Sequence, residues 1–181
     1  DAVVKYKGPD RPKDVRHPAA FHAFRNGKPE AERLLLETCR DPESPAFTRA
    51  GAMLALRQFI SSASFDEARR NLDANDSIVR VAAVAKLENL SDVDAHRDLV
   101  SMLKDPIRSV RTEAARILAR IPETLFTLEE LSLFQEVFKE LKLRYTSNLD
   151  RPESHLSLGI LAENRNQSEQ AEKHYRQAIR R

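Results

Sequence analysis

Glycine is scarce: the chain has four among 181 residues. A fold built from many tight turns, such as a β-sandwich, needs more. Cysteine occurs once, at Cys39 within "RLLLETC". A single thiol excludes an intrachain disulfide, a CxxC redox pair and a CxxCH haem-attachment motif. It reads as a buried structural thiol and leaves the redox compartment open. Charge of one sign is not in surplus, with 30 basic against 28 acidic residues. Neither a nucleic acid nor a membrane surface is called for by that balance. No apolar run approaches the roughly 18 residues that span a bilayer, and no signal peptide is visible. The phosphate-cradling GxxxxGK[ST] and GxGxxG patterns, the GxSxG nucleophile elbow and HExxH are all missing. What remains is 32% charged and 41% hydrophobic residues, a composition that predicts a soluble, all-α protein.

An internal repeat organises the middle of the chain. "TRAGAMLAL", "VRVAAVAKL" and "VRTEAARIL" align on Arg49, Arg80 and Arg111, spaced by 31 residues and 31 again. Three residues after each arginine stands an alanine, Ala52, Ala83 or Ala114. Seven after it stands a leucine, Leu56, Leu87 or Leu118. These offsets share one helix face. The alanine admits a neighbouring helix closely, and the leucine fills the layer beside it. A second amphipathic segment precedes each ("PEAERLLLETC", "FDEARRNL", "DAHRDLVSML"). Aspartate-bearing breaks lie between the segments ("RDPESP", "DANDS", "KDP"). Pro ends one helix and suits the first turn of the next. Ser64 with Glu67 and Thr127 with Glu130 match the capping box, and Ser91 with Asp94 is a weaker form. Three helix–turn–helix units are expected over 29–122, after an N-terminal extension and short helix at 1–28. In "TLEELSLFQEVFKELKLRY", Leu131, Phe134, Phe138, Leu141 and Tyr145 make one apolar face. The spacing predicts one long connecting helix within 123–150.

The repeat resembles short HEAT-like repeats, in which "DPxxxVRxxAAxxL" recurs; "DPIRSVRTEAARIL" is the nearest copy. The resemblance implies that Arg49, Arg80 and Arg111 form a structural ladder between units. From 151 to 181 the chain resembles one tetratricopeptide unit: Leu158 and Gly159, then Ala171, Tyr175 and Ala178 at 12, 16 and 19 residues past Gly159. Gly159 and Ala171 stand where two helices cross. His155 takes the place of an aromatic residue, and Ala162 that of a tyrosine, which should loosen the layer. Asn166 replaces the glycine that ends the first helix and tolerates the left-handed conformation; Ser168 is expected to cap the second helix. Asp150, Glu153 and His155, in "NLDRPESHLSLG", have the residue types of an acid–base or metal site. At their spacing they read instead as a helix start: Asp150 as N-cap, Pro152 in the first turn, Glu153 at the positive end, His155 packed inside. Together the two resemblances imply a right-handed α-solenoid of short HEAT-like pairs continuing into a tetratricopeptide unit. Because one repeat cannot bury its face alone, and the chain begins without Met and ends inside a helical pattern, a longer parent is expected.

The order of these segments resembles the C-terminal part of certain bacterial multihaem c-type cytochromes. That resemblance implies an exported, periplasmic parent bearing haem c upstream, with no cofactor held by this segment and with His17 as a candidate haem-iron ligand. The cytoplasm stays open. The function expected is a non-catalytic scaffold for a protein or peptide, with Leu156, Ile160 and Glu163 lining the groove. One alternative is an electron-transfer accessory that docks the parent's haem part or a redox partner. Another is a HEAT-like nucleic-acid binder of the glycosylase kind, against which the near-neutral charge weighs.

Overall fold

The structure, a computed structural model, describes residues 16–180, the side chains of Arg16 and His17 excepted. The segment before residue 16 lies outside the described residues. Every regular element among those described is helical. Ten α-helices follow one another: α1 (Arg16–Arg25), α2 (Ala31–Arg40), α3 (Ala46–Ala55), α4 (Ser62–Asn71), α5 (Ser77–Lys86), α6 (Asp92–Leu99), α7 (Arg108–Leu118), α8 (Leu128–Thr146), α9 (Pro152–Asn164) and α10 (Ser168–Ile179). Single 3-10 turns extend α3, α5 and α6.

Local chemistry explains most of the ends. Thr127 accepts the Glu130 amide and Glu130 accepts the Thr127 amide, a closed capping box that starts α8. Ser91 caps α6 by accepting the Asp94 amide at 3.2 Å. The α1 and α9 helices end in left-handed residues, Gly27 at φ 60° and Asn166 at φ 56°. After each, the chain folds back: the Lys28 amide reaches Ala23 O and the Gln167 amide reaches Ala162 O, both at 2.9 Å. These six-to-one bonds close the last turns.

Three expected caps are corrected. Helix α4 begins at Ser62, so Ser61 is its cap and Ser64 closes the box. Glu67 is therefore mid-helix. It is buried and bonds Arg40 and Asn71. The serine-rich "SSAS" offered several registers, and tertiary burial of Glu67 selects one. Asp150 does not cap α9: the N-cap position is Arg151, without a side-chain cap bond, and Pro152 opens the helix. Ser168 is already the first residue of α10, and Gln167 stands at its cap.

Packing follows the 31-residue recurrence. Helices α3, α5, α7 and α8 touch in succession, while α2, α4 and α6 lie against their own following helices. The recurring residues Ala52, Ala83, Ala114, Leu56, Leu87 and Leu118 are all fully buried. Each leucine so placed contributes about 1.5–3 kcal/mol through burial. Helix α1 covers α2 and reaches α3, where the Phe21 ring lies 3.4 Å from the place a methyl group on Gly51 would take. On α8, Phe134, Val137 and Leu141 are buried. Leu131, Phe138 and Tyr145 pack beside that core half-buried, so the apolar stripe is the one the spacing predicts, widened by Val137. Helix α8 contacts α7 on one side and α9 on the other, and α9 and α10 pair closely.

Candidate functional site

The three recurring arginines each reach a carboxylate of the following unit. Arg49 Nη2 lies 3.4 Å from Asp76 Oδ2. Arg80 holds Asp105 by two bonds, Nε to Oδ2 at 2.7 Å and Nη2 to Oδ1 at 3.2 Å. Arg111 holds Glu140 by two bonds, at 2.7 and 2.8 Å. The Nη1 atoms of Arg80 and Arg111 also donate to carbonyls of the turn just before their own helices. Arg80 and Arg111 thus each tie one turn to the next unit, whereas Arg49 makes the longer Asp76 contact. Burial alone would raise the Asp105 carboxyl. The Arg80 bond and the Ile107 N–H outweigh it and hold the group below the usual carboxylate range. Arg111 does the same for Glu140. Arg80 and Arg111 are occupied on both edges, while the buried Nε of Arg49 has no hydrogen-bond partner.

A second set of pairs crosses between units on other faces. Arg40 meets Glu67 and Arg69 meets Asp98, each at 2.7 Å. Glu88 accepts from Arg57 and Arg116. Lys86 is the exception. Its ammonium is fully buried, donates to Phe59 O at 2.8 Å and sits 3.8 Å from the centre of the Phe65 ring. Burial lowers its pKa to about 8, against a smaller opposing pull from Glu32. Among the described residues no carboxylate bonds it. The periodicity gave no warning, because position 86 falls on the buried side of a helix whose other core residues are apolar.

At α9 and α10 five residues singled out in the sequence lie on two closely paired helices. Leu158, Gly159 and Ala171 are buried, Tyr175 and Ala178 half-buried. A methyl group at Gly159 would overlap the Tyr175 ring, so only glycine permits this approach. The Tyr175 hydroxyl donates to Glu163 at 2.6 Å, and that bond pushes the phenol up to about 12. Beside Ala162 lies a cavity of about 90 Å³, also bordered by Phe138, Lys142 and His174. His155 is 4% exposed, and its Nδ1 lies 3.2 Å from His174 Nδ1. At that distance one nitrogen donates and the other accepts, so the two rings hold opposite tautomers. Burial, then His155, Lys173 and Lys142, lower the His174 pKa. His155 could be read in the sequence as an interior residue; its partner, 19 positions away, could not.

The outer face of α9 has a different character. Leu156 is 49% exposed and Ile160 43%; Glu163 continues the stripe but is engaged by Tyr175. One turn earlier this face opens into a cleft of about 570 Å³ where α8 ends and α9 begins. Arg144, Tyr145, Arg151, Glu153 and Ser154 are among its walls. Arg144 stacks over Tyr145, 5.9 Å from the ring centre.

The Cys39 thiol is buried, and burial, reinforced by Glu67, pushes its pKa up to about 12, far from a nucleophilic thiolate. Among the described residues, no group of three or more His, Cys, Asp or Glu could hold a metal ion. His17 lies in the first turn of α1, and its side chain falls outside the described residues. No described helix is long and apolar enough to cross a membrane. No family model matches the chain, and neither a curated protein nor a solved structure matches it.

Proposed function

We propose that this chain is a non-catalytic scaffold: a right-handed α-solenoid of short HEAT-like pairs running into a tetratricopeptide unit, which binds a protein or peptide. The observation that carries the reading is the outer face of α9. Its opposite face is buried against α10, yet Leu156 and Ile160 stay about half exposed on adjacent turns. Exposed aliphatic residues side by side on an ordered helix mark an interaction surface more often than isolated ones do. The recurring arginines support the solenoid, since each links one unit to the next. The resemblance to multihaem cytochromes extends the proposal to a periplasmic, haem-bearing parent; His17 as its iron ligand and the electron-transfer role rest on that resemblance alone.

A photo-crosslinking residue at Ile160 of the full protein in its native cells tests the scaffold. We expect a discrete protein adduct that is missing when the same residue replaces Val93, 62% exposed on α6. Identical labelling at both positions would overturn the reading.

A further inference from the structure

The cleft at the α8–α9 junction is lined by two unpaired arginines. Fourteen arginines among the described side chains are ion-paired: Arg33, Arg40, Arg49, Arg57, Arg69, Arg70, Arg80, Arg97, Arg108, Arg111, Arg116, Arg120, Arg165 and Arg176. Arg144 and Arg151, which line the cleft from two different elements, have no carboxylate partner among the described residues, as is also true of Arg25 and Arg180 elsewhere. The Arg144 guanidinium lies over the Tyr145 ring, 5.9 Å from its centre. Ser154, only 7% exposed as a residue, lines the same cleft. Two unpaired guanidiniums lining one cleft are charged donors lacking an acceptor.

We propose that this junction docks an acidic peptide segment, with a carboxylate held by Arg144, Arg151 and Ser154 and a following apolar side chain laid on Leu156 and Ile160. The inference rests on the scaffold reading and names its partner's chemistry. A guanidinium fork matches a planar carboxylate. From Glu153 to Ile160 is seven helical residues, about 10 Å at 1.5 Å each. An extended peptide covers that in about three residues, so acid and apolar side chains three to five positions apart reach both features. Glu153, also in the cleft wall, disfavours a polyanion such as a nucleic acid strand and accepts a peptide N–H.

The probe is a fluorescein-labelled, end-blocked octapeptide carrying two adjacent glutamates followed by leucines, titrated by anisotropy against the full chain. Its glutamine counterpart and inorganic phosphate are the controls. We expect the glutamate peptide to bind about tenfold more tightly than the glutamine one, with binding weakened by salt. Arg144→Gln and Arg151→Gln should each cost about fivefold, as for one charge-assisted bond, and Ile160→Ser should cost less. Both arginines are exposed and unpaired, so the variants' melting temperatures should stay unchanged. Equal binding of the two peptides, or variants that bind like the parent chain, would overturn the site. Phosphate displacing the peptide in Glu153→Gln and wild type alike would show a small-anion site and overturn the peptide assignment. If Ile160 crosslinks a partner yet the peptide does not bind, this inference fails while the scaffold reading stands. If neither happens, both fail.

Discussion

The stack from α3 to α8 and the α9–α10 pair are held together by different means. In the stack, alanine–leucine layers repeat every 31 residues, and an arginine from each unit grips the next one's acid. Removing one contact there leaves neighbours on both sides. The α9–α10 pair rests on single, non-repeating fits: Gly159 beneath Tyr175, and His155 against His174. Repetition distributes stability, whereas a single close fit concentrates it. The two regions should therefore respond differently to the same kind of damage.

The largest effect is expected at the most enclosed rung. Arg80→Ala leaves the Asp105 carboxylate buried, with side-chain exposures of 13% and 5% for the pair, and should cost about 3 kcal/mol. Arg49→Ala breaks a 3.4 Å contact to an Asp76 that is half exposed and should cost less than about 1 kcal/mol. Urea unfolding of both variants measures the gap; equal losses would show that the rungs are not graded by burial. Next comes Gly159→Ala, which overpacks α9 against Tyr175 and should cost about 1–3 kcal/mol. Hydrogen exchange should locate the loss in 152–179 and leave α5 protected. A loss spread evenly over both regions would erase the distinction drawn above.

A smaller, opposite effect is expected at Lys86. Its pKa lies near 8 when folded, against 10.5 ordinarily. Below about pH 8 both folded and unfolded chains carry the charge, and its burial cost is fully present. Above that the folded state sheds the proton first, so stability rises with pH towards 10.5. Lys86→Met should raise stability at pH 7 by about 1–2 kcal/mol and abolish the rise, read from unfolding curves at pH 7 and 9.5. A destabilised variant would mean that the Phe59 bond and Phe65 contact outweigh desolvation.

The smallest effect concerns the histidine pair. His174 binds its proton less readily when folded than the ordinary 6.5. Its contribution is whole above about pH 6.5 and is lost as pH falls through the folded value, because the unfolded chain takes the proton first. Lys142 and Lys173 face the ring and oppose its charging, and Gln170 and Gln177 lie along the same helix without charge. Between pH 7.5 and 5.5, α10 amides should lose exchange protection before those of α5, and His174→Asn should remove that difference. Simultaneous loss in both helices would show no local titration.

Much of this architecture is written in short-range pattern. The steps of three, four and seven around Arg49, Arg80 and Arg111 mark which face of each helix is buried, because a helix has no other way to group those residues. Thr127 with Glu130 starts α8 and Asn166 ends α9 for reasons contained within four residues. Where several registers were locally equal, as in "SSAS", the pattern misplaced the cap, and burial of Glu67 decided it.

Other features depend on groups 19 to 32 residues apart, and no local rule links them. Which acid each arginine meets, the enclosure of Lys86, and the pairing of His155 with His174 follow from how helices stack. So does the cleft: Arg144 lies in the last turn of one helix and Arg151 precedes the next, and the turn between α8 and α9 places both along one cleft with Ser154. A periodic sequence specifies faces. The side chains that meet across those faces are chosen by the angle and register at which the faces come together.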